Sequence, residues 1–248
     1  MPDPVVLSAS SLQTYLRCGH QWYLAYVVRL KRPPNVRQVI GLAAHTAVEH
    51  NFAQKIESKI DVPTDEMVEV FSDNFDSLAV DIEDPDEPLG SAKDSGVKLV
   101  KVHAREVSPA IQPVWVEKAG QFTINDQPYS WTVDLVDDRD RVRDTKTKAR
   151  APKIEDFMLQ MTGYALGFRQ ETGRVESDVV IDALVRTKVP YYLPLYGGQV
   201  NDNRIQSFAS VVGSVGRSIE NGDFIPNGLT NGACSWCGYA DICKYRKR

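Results

Sequence analysis

The chain has 248 residues, 42% apolar and 25% charged, with 4 cysteines and a formal net charge of −4. That is enough length and apolar content to bury a core without disulfide support, which excludes disordered, collagen-like and disulfide-scaffold classes. No run approaches the roughly 18 apolar residues of a membrane span, and the start Met1-Pro-Asp-Pro lacks the basic and apolar regions of a secretory leader, so a cytoplasmic protein with no membrane partner is expected.

The charge is uneven. Between Asp61 and Asp94 stand twelve acidic residues against one basic residue, Lys93, so the remainder of the chain is net positive. Its cations gather at Arg29 to Arg37, at Arg139 to Lys153, and in the tail Lys244, Arg246, Lys247, Arg248. Three such stretches form a phosphate-binding surface if the fold unites them and plain solvated charge if it does not.

In chain order, Ser10 and Gln13 have the spacing of a capping box and open a helix carrying Leu12, Tyr15 and Leu16 toward Cys18. Trp22, Tyr23, Tyr26 and Val27 continue an apolar stripe expected to be core. Pro33-Pro34 breaks the chain. A second helix runs from Gly41 to about Ile60 with His45 and Glu49 on one face; Glu49 and His50 read as its polar side. The acidic run is expected to be a surface insertion, helical from Glu66 to Leu78, with a turn at Asp84-Pro-Asp-Glu-Pro.

Val97 to Val107 reads as a helix, and from Val114 the period becomes two. Val114–Val116, Gln121–Ile124, Tyr129–Val136 and Arg141–Thr147 are predicted strands of an antiparallel meander, with Asp137 to Asp140 turning the last hairpin. A helix follows over Ile154–Gln170, then a strand over Val179–Thr187 and a closing helix over Asn203–Glu220. This order implies an α/β fold with a mixed sheet covered by helices.

Strand alternation places Asp144 and Lys146 of Asp144-Thr145-Lys146 on one face, with Asp134 on the preceding strand. Carboxylates on neighbouring strands suit a hard divalent cation that keeps waters for a phosphate substrate, and a nearby lysine can orient or deprotonate the attacking water. Taken alone, each such residue is ordinary surface charge.

Taken together, Gly41-Leu-Ala-Ala-His45, Glu117, Asp134, Asp144-Thr145-Lys146 and Gln160-Met-Thr-Gly-Tyr164 resemble, in this order, the PD-(D/E)xK nuclease superfamily in its RecB-like exonuclease branch. The resemblance spans about Leu7 to Cys243. It implies a restriction-endonuclease-like core forming one nuclease domain over 1–248, made of an N-terminal helical region (1–40), the acidic insertion (61–94), the catalytic sheet and helix (112–190) and a cysteine-rich tail (228–248). It implies a Mg2+ or Mn2+ site held by His45, Asp134, Asp144 and the Thr145 carbonyl, with Glu117 near the metal and Lys146 positioning the water. Gln160 and Tyr164 would contact substrate or order Lys146. The activity implied is a DNA exonuclease preferring single strands, in repair, recombination or DNA processing, with a helicase, recombinase or integrase as partner, or self-association.

Cys234-x2-Cys237-x5-Cys243 has metal-ligand spacing, and with Cys18 supplies four thiolates that suit zinc or an iron-sulfur cluster alike. The resemblance favours a [4Fe-4S] cluster, as in the AddB nuclease domain and the CRISPR-associated exonucleases, stapling the chain termini. Gly19 departs from that pattern, which often has proline after the first cysteine. By loop entropy, a clip closing nearly the whole chain is worth about 5 kcal/mol.

Overall fold

A computed structural model describes residues 5–83 and 85–246. Asp84 of the predicted acidic turn, Met1 to Pro4, and Lys247 and Arg248 of the basic tail lie outside the described residues.

The helices before the sheet are α1 (Ala9–Arg17), α2 (Gly19–Trp22, continued by a π turn Tyr23–Val27), α3 (Val36–Ser58), α4 (Thr64–Ala79) and α5 (Leu89–Glu106). Then come β1 (Pro113–Ile124), β2 (Gln127–Asp137), β3 (Arg141–Lys148), α6 (Met158–Thr172), β4 (Asp178–Val185), β5 (Tyr191–Tyr196) and α7 (Asp202–Glu220). The five strands form one sheet in the order β1-β2-β3-β4-β5. β2 and β3 are antiparallel, β3 and β4 parallel, β4 and β5 antiparallel. The parallel pair needs a crossover, and α6 supplies it.

β5 is not among the predicted elements because Pro190 and Pro194 demote the segment. The sheet accepts Pro194 because β5 lies at its edge, where a missing N–H interrupts no second ladder. β1 is one strand rather than two, and its hairpin turns at Asn125 and Asp126, both in left-handed conformation.

The chain divides into two compact units. One comprises Pro33–Ala119 and Thr132–Val200; the other comprises the chain up to Arg32, Gly120–Trp131 and the chain from Asn201. The division at Arg32 falls inside the predicted N-terminal region 1–40.

In the first of these units α3 starts at Val36, five residues before the predicted Gly41. Asn35 accepts from the Gln38 amide (3.0 Å), and the Gln38 side chain accepts from the Asn35 amide (2.9 Å). This capping box directly follows the proline break, and Lys59 in left-handed conformation ends the helix. Val36, Val39, Ile40, Ala43, Ala47 and Val48 recur at helical spacing and are buried, packing α3 with α4, α5, Leu135 and Leu184.

The acidic segment is helical as expected, but it is no surface appendage: Met67, Phe71 and Phe75 of α4 are fully or almost fully buried in that same core. Its carboxylates occupy the outer face of an amphipathic helix. Within the stretch Arg139 to Lys153, two cations are internal partners rather than phosphate contacts. Arg141 pairs with buried Asp137 (2.6 Å), and buried Arg143 makes two bonds to Asp182 (2.9 and 2.6 Å).

In the other unit Ser8, not Ser10, caps α1, with Ser11 as its reciprocal partner. Trp22 is buried as expected, whereas Tyr26 and Val27 of the π turn are exposed, so the aromatic stripe is core only in part. The Leu7 segment bonds to both sides of Tyr129 (Leu7 N–H to Pro128 O, 3.0 Å; Ser130 N–H to Leu7 O, 2.8 Å). The Tyr129 ring packs between Phe122 and Phe208 of α7. Among the described residues no helix is long and apolar enough to cross a membrane.

Candidate active site and cysteine centre

The ladder between β2 and β3 pairs Val136 with Val142 and Leu135 with Arg143. One step further the two strands bring Asp134 beside Asp144, and the Thr145 amide donates to Asp134 Oδ2 at 3.4 Å. β3 remains paired with β4 along its whole length, so Asp144, Thr145 and Lys146 sit on a rigid strand. Asp144 is 1% exposed, which makes its partners decisive.

Three groups address Asp144. Lys146 Nζ lies 2.6 Å from Oδ2, Gln160 Nε2 donates to Oδ1 at 2.8 Å, and Asp134 adds a neighbouring negative charge. Gln160 also donates to the Tyr164 hydroxyl at 2.8 Å, one turn along α6. Burial first, and then Asp134, push the Asp144 carboxyl up to about 7. For Lys146, burial disfavours the charged form, but Asp144 and Asp134 outweigh it and hold the ammonium above its ordinary value. Lys146 is therefore a fixed cation.

On the other side of the fork, α3 presents His45. Its Nε2 lies 3.0 Å from Asp134 Oδ2 and 3.3 Å from Glu117 Oε1. The hydrogen bond to Asp134, with the Asp134 and Glu117 charges, raises the imidazole to about 9 against the pull of burial. Burial favours neutral Asp134, yet His45 and Lys146 keep its carboxyl below the usual range. Glu117 is raised to about 7 by burial and then by Asp134.

Glu117 reaches this position through its backbone. Its φ of 49° is left-handed inside a strand, at a cost of roughly 1–2 kcal/mol. Alternation breaks there, so adjacent Val116 and Glu117 line the same cavity with His45, Asp134 and Thr145. Glu49, read from sequence as the polar side of its helix, lines that cavity too, and its charge helps raise Glu117. The spacing from His45 to Glu49, one helical turn, was the available signal.

One ligand atom each from His45, Glu117 and Asp134 lie within 4.8 Å of one another. An imidazole and carboxylates at this spacing, two of the nearby acids pushed upward by burial and by Asp134, fit a hard divalent cation. All eight predicted residues of this site, His45, Glu117, Asp134, Asp144, Thr145, Lys146, Gln160 and Tyr164, come together in one unit.

Residues 6–244 match the family model described as the PD-(D/E)XK nuclease superfamily. The chain belongs to that superfamily. No curated protein matches it. The crystal structure named "Putative exonuclease" from Eubacterium rectale superposes with a TM-score of 0.65 at 14% identity, covering 98% of this chain and 88% of that one, a likeness of fold. The structure of SSO0001 aligns over 96% of both chains at 10% identity with a TM-score of 0.43. PD-(D/E)XK nucleases use divalent metals, in keeping with the His45 cluster.

The cysteines of this nuclease-family chain lie in its other unit. Cys18, Cys234, Cys237 and Cys243 are unbridged and line a single cavity with Leu24, Gly228 and Ala233. The tail is sewn to α1 beside Cys18. Asn227 Nδ2 donates to the Leu16 carbonyl (2.7 Å), Asn231 Nδ2 to that of Arg17 (2.8 Å), and the Gly19 amide to Asn227 Oδ1 (3.1 Å). The two asparagines thus satisfy carbonyls at the C-terminus of α1 that have no partner within the helix.

This explains glycine at 19. Proline has no N–H for Asn227, and even a Cβ there would sit 2.7 Å from the Ile225 nitrogen. At Gly228 a Cβ would lie 3.2 Å from Cys234 Sγ and 3.5 Å from Cys18 Sγ, so the missing side chain keeps the space between the thiols open. Burial, and then the neighbouring thiols, push the Cys237 thiol upward.

Proposed function

We propose that this chain is a Mg2+- or Mn2+-dependent DNA exonuclease of the RecB-like iron-sulfur branch, acting on single strands. The observation that carries the nuclease reading is the Asp134–Asp144–Lys146 fork joined to His45 and Glu117, within a chain of the PD-(D/E)XK superfamily. The name of the structural neighbour supports exonucleolytic action.

His45, Asp134, Asp144, the Thr145 carbonyl and Glu117 would hold the metal, which when bound polarises phosphoryl oxygen and acidifies water. Lys146, kept charged by Asp144, orients the attacking water and offsets negative charge on the phosphorus. Gln160, bonded to Asp144 and Tyr164, keeps that carboxylate aimed at the fork. Water oxygen bonds to phosphorus and gives up a proton to solvent as the P–O3′ bond breaks and O3′ takes up a proton, leaving 5′-phosphate and 3′-hydroxyl ends.

For the cysteines, the resemblance to the iron-sulfur branch supports a [4Fe-4S] cluster over one zinc. Cys18, Cys234, Cys237 and Cys243 line one cavity and would hold it, with Gly228 at its wall. One zinc on the same four thiolates is the alternative, and the metal content of the purified protein decides between them.

The test uses anaerobically purified protein and single-stranded DNA labelled at either end, with Mg2+, Mn2+ or EDTA. Wild type should degrade the strand progressively only with metal, Lys146→Ala should lose at least about a thousandfold in rate, and Gln160→Ala about ten- to a hundredfold. A folded, brown wild type that binds DNA and never cuts it would instead make the chain a non-catalytic assembly subunit.

A further inference from the structure

A second concave site adjoins the catalytic strand. It is a cavity of about 300 Å3 lined by Arg37, Ile40, Thr147, Lys148, Ala149 and Arg186. Three of its six wall residues are cationic and none is acidic. Arg37 belongs to the first turn of α3, whose positive dipole end adds to the field, and Ile40 follows one turn after Val36. Lys148 lies two residues beyond Lys146 on β3, about 7 Å along the strand. That step is comparable to one or two nucleotides of backbone.

Two arginines of this wall are met by carboxylates from the acidic segment. Arg37 pairs with Asp86 at 3.5 Å, both side chains being more than half exposed, and Arg186 pairs with Glu87 at 2.6 Å. Neither carboxylate lines the cavity itself. The Arg37 pair is long and solvated, hence weak and readily exchanged. A phosphate diester offers these cations the same charge without the cost of a fixed turn.

We propose that this cavity is a phosphate subsite that seats the nucleic-acid backbone one step from the scissile bond, with Asp86 and Glu87 as internal counter-charges that the strand displaces. The inference rests on the nuclease reading above and extends it to residues that reading does not use. It also gives the acidic turn a role: the turn screens the cations until a backbone of higher charge density arrives.

The test is fluorescence anisotropy of an end-labelled single-stranded oligonucleotide in EDTA over a salt series, with metal-dependent cleavage assayed in parallel. The chains compared are wild type, Arg37→Gln/Lys148→Gln, Asp86→Asn/Glu87→Gln, and Lys101→Gln, an exposed lysine of α5 outside the cavity wall. Melting curves establish that each variant is folded, and Arg37→Lys, which keeps the charge, should bind as wild type does.

Removing Arg37 and Lys148 should weaken binding on the order of tenfold and lower the slope of log Kd against log salt by about one to two. Neutralising Asp86 and Glu87 should tighten binding several-fold, while Lys101→Gln should change little. If Arg37→Gln/Lys148→Gln binds as Lys101→Gln does while wild type still cuts DNA, the subsite is wrong and the nuclease reading stands. If charge removal at Asp86 and Glu87 leaves affinity unchanged, the counter-charge role is overturned. A wild type that neither binds nor cuts DNA overturns the nuclease reading, and the subsite with it.

Discussion

Nε2 of His45 stands 3.0 Å from Oδ2 of Asp134, so a helix and a sheet strand meet through one ion pair. That contact, with Glu117 at 3.3 Å, joins α3 to the fork between β2 and β3 and makes the site's stability depend on pH.

In EDTA, stability should fall as pH rises above about 6.5; below that, buried His103, lowered to about 4, works in the opposite direction to the two raised acids. His45 is raised from 6.5 to about 9, so its contribution is complete below about 6.5 and is lost through about 9. Glu117 and Asp144 are raised to about 7, and acids raised in the folded state act in the same direction, losing stability from about 4 through 7. With screening of the partly exposed imidazole, the His45 share is about 2 kcal/mol. Mg2+ or Mn2+ needs these groups deprotonated, so the cation-induced rise in Tm should be larger near pH 9 than near pH 6. Glu117→Gln should raise Tm in EDTA and shrink the gain from metal. Equal gains at both pH values would remove His45 and Glu117 from the metal site.

The acidic segment is part of the core, and Phe71 measures how much. Its side chain is fully buried and packs against Phe75. Phe71→Ala should cost about 3–5 kcal/mol in denaturant unfolding. Substituting an outward carboxylate of the same helix, such as Asp73→Ala, should change stability by less than about 0.5 kcal/mol. A small cost at Phe71 would return the segment to the status of an appendage.

For the cysteine centre, Gly228→Ala tests the space between thiols without removing a ligand. The added methyl would crowd Cys234 and Cys18, so the brown absorbance and bound iron should fall sharply, as they should in Cys237→Ala. Gly19→Pro should lower Tm, since it removes the bond to Asn227 and presses on the Ile225 backbone. Full iron content in Gly228→Ala would place the bound group elsewhere. A colourless wild type with one zinc per chain would end the cluster reading.

Local rules make several features legible in the sequence. Strand alternation puts Asp144 and Lys146 on one face, helical period puts Gln160 and Tyr164 one turn apart, and short-range cysteine spacing marks a ligand group. Each depends only on neighbours within a few residues, where backbone geometry is fixed by the peptide itself. Capping is legible in kind and misplaced in detail, because Ser8, Ser10 and Ser11 all offer hydroxyls and Asn35 is overshadowed by the proline pair beside it.

The other features are decided over long separations. The left-handed backbone of Glu117 has no local sequence signature, and only the approach of α3 turns its carboxyl toward His45. Arg143 looks like a phosphate-binding cation until β4 brings Asp182 to it across the parallel ladder. Met67, Phe71 and Phe75 are sparse among carboxylates, so composition makes α4 look like surface, whereas three apolar residues on one face suffice once α3 and α5 cover them. The sequence by itself determined which chemical groups were available and which faces they share. Tertiary structure decided which of those charges are neutralised inside the protein and which remain for a ligand, because that outcome depends on burial and on partners far away along the chain.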